Sequence, residues 1–362
     1  MRKDYFLAGL GMRILMLAIF LVGNHYDKYN DMSEIIFEAM NNMLQGENPY
    51  SVTYELEWGS GTFTQPFNYG PVTLLFLLPA MLLPFWYNTL WVGMYVMINV
   101  YYYVLCNYMM KKLTFDEDLQ KLRPSGEDKY PKINQKDPRI NRFMYYAGAV
   151  FWMLPVGTLV VTNFLSLPIF LTMLAFGNRK DPFKCSLYVT LAGASYQMAF
   201  IFAPVYAIYH FKKDPKSLFK FALGALPAVL LIFLFIVWGP GGAIYSLFLY
   251  TSEMGYVKCP TCAHSFDSWA IFSVPKLAYT LSDGRLQIGN ASRIVLVLIL
   301  GAFLLVYLFT DKYEKSPELF IQQYIMMSTW GFVLTNNYGQ LHYLLFLFVP
   351  YFISYQIKHP YF

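Results

Sequence analysis

Charge is what this sequence has least of. Only 14% of its 362 residues are Asp, Glu, Lys or Arg, against about 25% in ordinary soluble domains. That shortage excludes a conventional water-facing surface over most of the chain. Tandem repeats are absent, and so is any low-complexity tract beyond apolar runs. No glycine-rich nucleotide-phosphate motif is visible. Cysteine is scarce. Cys106 and Cys185 fall in or beside apolar runs and read as small core residues. Cys259 and Cys262 sit in "CPTCAH". A structural zinc usually needs four ligands, and His264 offers only a third. A c-type haem site needs His directly after the second Cys, and Ala263 intervenes. A local disulfide in an oxidising compartment is the expected reading.

What is abundant is apolar. Hydrophobic residues make up 57% of the chain, including 31 Tyr and 32 Phe, and mean hydropathy is +0.38. Runs of roughly 17–25 apolar residues span a bilayer, and broken or tilted ones are shorter. Ten runs are expected to be helical crossings: 6–23, 72–85, 90–108, 145–161, 165–176, 186–209, 219–238, 294–309, 320–334 and 342–357. The expected class is an all-α polytopic membrane protein, a single transmembrane domain over 1–362.

Charge bias orients the runs. Arg2 and Lys3 precede the first, which is expected to be a retained anchor with its start inside, Arg13 snorkelling to the inner face. Lys212, Lys213, Lys216, Lys312, Lys315 and Lys358 read as inside. Segments 24–71, 239–293 and 336–341 then fall outside. Segment 111–142 is basic, which favours inside, yet alternation places it outside. Either 72–85 turns back without crossing, or the charge rule fails here; alternation is the expectation followed.

The stretch "NDMSEIIFEAMNNMLQG" has helical spacing. Met32, Ile35, Ile36, Ala39, Met40 and Met43 share one apolar face. Gly46 is a natural stop and Pro49 a breaker. An amphipathic helix of this kind is expected to lie on the outer membrane surface. Asp31 opens it and Glu34 follows three residues later, the pattern of a capping box. A capping carboxylate still has a second oxygen for a ligand, so cap and site residue are compatible roles.

Beyond it come "GENPY" and "TQPFNYGPVTLLFLLPAMLLP". The order Asp, amphipathic helix, Gly-x-Asn-Pro-Tyr, then Phe-x-Tyr-x-Pro entering an apolar run resembles the first outer loop of GT-C glycosyltransferases. It is most similar to the polyprenyl-phosphate-mannose-dependent mannosyltransferases of prokaryotes. Asp31, Gly46, Pro49, Tyr50, Tyr69 and Pro71 match that pattern, with "YGP" where Tyr-Pro-Pro is commoner. Looser matches are Asn163 in "LPVGTLVVTNFLSLPIF", Gln197 and Pro204 in "ASYQMAFIFAP", and Gln340 and His342 in "NNYGQLHYLLFLFVP". The first outer loop has no Asp-x-Asp pair, unlike some eukaryotic relatives.

The resemblance implies transfer of a sugar, mannose by family, from a polyprenyl- or dolichyl-phosphate donor to a lipid-linked or glycan acceptor. It implies an outer-face or lumenal site; a prokaryotic plasma membrane is the first expectation, and an endoplasmic reticulum membrane would also serve. Asp31 is the expected general base, with Asp27 next in line. Lys28, Lys258 and Arg293, the last directly before a crossing, are expected to hold the donor phosphate. Glu34, Tyr50, Tyr69, Asn163, Gln197, Gln340 and His342 are the expected substrate contacts. No cofactor, metal or nucleic acid is expected. The alternative is a multi-pass lipid or sugar transporter. That class would carry inverted repeats and ionisable residues near the midplane, whereas the acidic residues here concentrate in the first outer loop.

Overall fold

The computed structural model describes residues 31–58, 61–78, 81, 166–250, 273–282, 285–310, 313, 316–335 and 346. The expected runs 6–23, 90–108 and 145–161, most of 342–357, and segment 111–142 lie outside the described residues. So do Asp27, Lys28, Asn163, Lys258, Cys259, Cys262, Gln340 and His342.

Helices dominate. They are α1 (Asp31–Leu44), α2 (Pro71–Leu77), α3 (Ser166–Gly177), α4 (Pro182–Ser195), α5 (Ala203–Lys213), α6 (Ser217–Trp238), α7 (Pro240–Ile244), α8 (Val274–Leu281), α9 (Gly289–Phe309) and α10 (Pro317–Thr335). A 3₁₀ turn over Gln197–Phe202 precedes α5, and a π turn over Tyr245–Leu249 follows α7. Among the described residues, two helices, α6 and α9, are long and apolar enough to cross a membrane. Both turn large apolar side chains outward: Phe233, Leu234, Val297 and Leu298 are all more than half exposed.

The described residues are mostly helical, as expected, and include one β-hairpin that was not expected. Thr53–Trp58 (β1) and Gly61–Pro66 (β2) pair antiparallel, Thr53 opposite Pro66 and Trp58 opposite Gly61. The pattern that builds this hairpin is local. Tyr54, Leu56 and Trp58 alternate with Glu55 and Glu57, and Gly59-Ser60 is a turn signal in the sequence between the strands.

The run 186–209 was expected as one crossing and is two antiparallel helices. Tyr196 is extended, with φ −148° and ψ 118°, and reverses the chain between α4 and the 3₁₀ turn. Phe200 packs where a Cβ on Gly193 would stand, and at the other end of the pair Asp181 lies close enough to His210 to act on its charge. Pro204 explains the second start. It stands in the first turn of α5, where its missing N–H costs nothing.

This reversal gathers four stretches at one end. Arg179, after α3, reaches Glu318 of α10. The hydroxyl of Ser217 donates to the carbonyl of His210. Lys212 Nζ donates to the carbonyls of Tyr307 and Thr310 at the end of α9, at 3.0 and 2.6 Å. The Tyr307 ring stacks on Phe320, centroids 3.8 Å apart. Below, this is the lysine end. Helix α3 therefore runs toward the lysine end, whereas alternation had it running away. The far end of α6, about 33 Å off at 1.5 Å per residue, carries the hairpin and is the loop end.

Three other expectations change. The apolar face of α1 does not lie open for lipid: Ile35, Ile36, Ala39 and Met40 are fully buried against Tyr50, Tyr54, Phe67, Leu74 and Phe235. The hairpin and the last turn of α6 supply the apolar partner that lipid was expected to supply. Segment 239–293 is not plain loop, since α7, the π turn, α8 and the start of α9 fall inside it. Arg293 consequently lies within α9, which begins at Gly289, rather than ahead of it.

Candidate functional site

The first-loop unit is built around a helix stop. Gly46 adopts φ 85°, the left-handed conformation that glycine reaches without a Cβ penalty. The chain leaves α1 there and turns into Asn48. The side chain of Asn48 works in two directions: Oδ1 accepts from the Tyr50 amide, and Nδ2 donates to the carbonyl of Phe235 in the last turn of α6, both at 2.9 Å. A buried amide with both halves paired fixes the loop against α6.

Tyr50 is the centre of the unit. Its ring packs on Phe67 and Phe235, and its hydroxyl donates to the carbonyl of Tyr69 at 2.8 Å. Burial pushes its pKa well up, so the hydroxyl stays a donor. Tyr54 donates to the carbonyl of Pro49 at 2.8 Å and receives Asn42 Nδ2 at 3.4 Å. Burial pushes Tyr54 up to about 12. Tyr50 and Tyr69 are therefore core residues of the loop rather than aromatics at a water boundary.

Two elements clamp the unit. The first is the reversal at Tyr196. The carbonyl of Ser195 accepts from the amide of Gly70 at 2.9 Å and from the hydroxyl of Thr73 at 3.0 Å. A Cβ on Gly70 would overlap the carbonyl of Ala194, so the two backbones touch only because residue 70 is glycine. Gln197 Nε2 donates to the carbonyl of Asn68 at 2.9 Å, and the rings of Tyr69 and Tyr196 face each other at 6.2 Å. The second is "WGPGGA", residues 238–243. Cβ atoms on Gly239 and Gly242 would overlap the side chains of Ser51 and Asn48 and the backbone of Tyr50 and Ser51. Ser246 donates to the carbonyl of Tyr50 at 3.1 Å, and Tyr250 donates to Gln65 Oε1 at 3.4 Å.

Of the sequence-derived site residues, Tyr50, Tyr69 and Gln197 meet in this one cluster. Gln197 holds the loop through its amide N–H. Asp31 is the first described residue of α1 and Glu34 lies three residues on. Arg293 is in the second turn of α9, partly buried. Cys185 is buried in the larger core, as a small apolar residue should be. Sequence reasoning passed over Asn48, Gly70, Ser195, Gly239, Gly242 and Ser246. Two small-residue runs could have flagged Gly239, Gly242 and Ser195, "GPGGA" and "GAS" before Tyr196, because small residues permit close backbone approach.

Glu38 stands out in the sequence as a third acid of this helix, beside Asp31 and Glu34, but was given no role. Four residues after Glu34 and seven after Asp31, it falls on the same side of α1 as both. Burial raises its pKa above the ordinary carboxylate value. Among the described residues, no group of three or more His, Cys, Asp or Glu side chains converges. The arrangement can therefore present a line of carboxylates on a helix whose opposite face is locked into protein. No protein-family model matches the chain, and no curated protein matches it.

Proposed function

We propose that the chain is a multi-pass membrane glycosyltransferase of GT-C type. It moves a sugar from a polyprenyl- or dolichyl-phosphate donor to a hydroxyl acceptor at the loop end. The observation that carries this reading is the docking of α1. An amphipathic helix that carries Asp31 is fixed at the last turn of α6, where a long apolar helix ends. A lipid-borne phosphate lies at that same depth. Attack on the anomeric carbon needs a base to take the acceptor proton, and Asp31 fills that role. The departing phosphate needs cationic donors, and Arg293, Lys258 and Lys28 are the proposed ones. Gln197 enters as the residue that keeps the Phe67–Tyr69 backbone in place.

Sidedness follows the charge. The lysine end is taken as the inner face and the loop end as the outer or lumenal one. Because α3 ends at the lysine end, counting back puts 111–142 on the inner side, as its basic charge favours. That count has 72–85 turning back without crossing.

Purified protein in vesicles, given a polyprenyl phosphate carrying a labelled sugar, tests the reading. Transfer chemistry yields free polyprenyl phosphate and a labelled acceptor. Recovery of intact donor on the opposite leaflet, with none consumed, would make the protein a transporter.

A further inference from the structure

The lysine end carries a second surface that the transfer reading does not use. Over residues 178–184 and 212–220 there are six lysines and two aspartates, beside the internally paired Arg179. Residues 311–315 of the sequence include Asp311, Lys312, Glu314 and Lys315 and carry no net charge. Lys184 is 3.5 Å from Asp181. Lys212 is bound to backbone carbonyls, and Lys213 to the hydroxyl of Tyr209. Both Lys216 and Lys220 are exposed, and neither has a carboxylate within ion-pair distance among the described residues.

Directly above these two lysines runs an apolar stripe. Phe219, Leu223, Leu226 and Leu230 are spaced four, three and four apart, so they share one face of α6. All are exposed, Phe219 by 71%. Phe183 stands exposed beside the foot of the stripe, where α4 crosses α6 so closely that a Cβ on Gly224 would overlap its carbonyl. A cationic foot below a continuous apolar ridge has the chemistry of one molecule, an anionic phospholipid. The phosphodiester would sit on Lys216 and Lys220, and the acyl chain along Phe219 to Leu230.

We propose that this is a binding site for an anionic phospholipid headgroup from the surrounding bilayer. Polybasic clusters beside a membrane helix attract anionic lipid, about 1 kcal/mol per Lys near the surface. A zwitterionic lipid brings no net charge to the same place. The proposal rests on the membrane-spanning character of α6 alone and is independent of Asp31.

Thermal unfolding in neutral detergent tests it. Phosphatidylglycerol should raise the midpoint by about 2–4 °C more than phosphatidylcholine with the same acyl chains at equal mole fraction. That excess should vanish in 1 M salt, where the screening length is about 3 Å. It should also vanish in Lys216→Gln/Lys220→Gln and persist in the Lys216→Arg/Lys220→Arg pair. A Lys276→Gln control removes one charge near α8 and should keep it. The site is overturned if both lipids stabilise equally, if the Gln pair retains the difference, or if inorganic phosphate reproduces it without lipid.

Discussion

Asp31→Asn is expected to fold normally and to bind the lipid-phosphate donor, while turnover falls by about 10²–10⁴-fold, the usual worth of a general base. The substitution separates two roles. Asn caps a helix about as well as Asp, so a purely capping Asp31 predicts near-normal activity. Asn cannot accept a proton, so a base predicts the loss. The core side of α1 should be untouched, because Ile35, Ile36, Ala39 and Met40 carry that packing. Glu34→Gln is the companion variant. Gln serves equally at the third position of a capping box, so little should change. Full activity in Asp31→Asn would move the base to Asp27 or to Glu38, whose raised pKa already sets it apart.

Glu318→Ala is expected to cost about 3–5 kcal/mol of stability, the usual penalty for breaking a buried ion pair from one side. Arg179 is fully buried, with Nε 3.3 Å from Glu318 Oε1. Its guanidinium also lies over the Phe176 ring at 4.6 Å, and Nη1 donates to the Phe176 carbonyl at 3.4 Å. Without Glu318 that charge stays in the interior against an aromatic ring. The double variant Arg179→Met/Glu318→Met should be close to neutral, since both desolvation costs then disappear. Denaturant titration in detergent measures both. A single variant within 1 kcal/mol of the parent would show that the pair contributes little to joining α3 and α10. Donor binding at the loop end should not change, because the pair sits at the opposite end of the helices.

Local signals in the sequence carried the elements whose cause is local. Gly46 stops α1, and the apolar run of α6 ends at Trp238 as its composition suggests. The hairpin was equally readable from the alternation of Tyr54, Leu56 and Trp58, but the surrounding helical context overrode it. The buried face of α1 could not be assigned in advance. An apolar stripe fits lipid and protein alike, and only the fold brings Phe235 against it. The reversal at Tyr196 has a weak local sign in Pro204. Its cause is long-range: Ser195 must present its carbonyl to Gly70 and Thr73, more than a hundred residues earlier. The glycine contacts at 70, 239 and 242 are of the same kind. They join segments that nothing in their own composition pairs.

The most direct measurement is a structure of the protein with a non-transferable polyprenyl-phosphate sugar bound. The account predicts the phosphate at the loop end. Its sugar would face the Asp31 end of α1, and its polyprenyl tail would pass into the bilayer beside α6 or α9. A phosphate held at the lysine end, or a sugar facing away from the Asp31 end of α1, would contradict it.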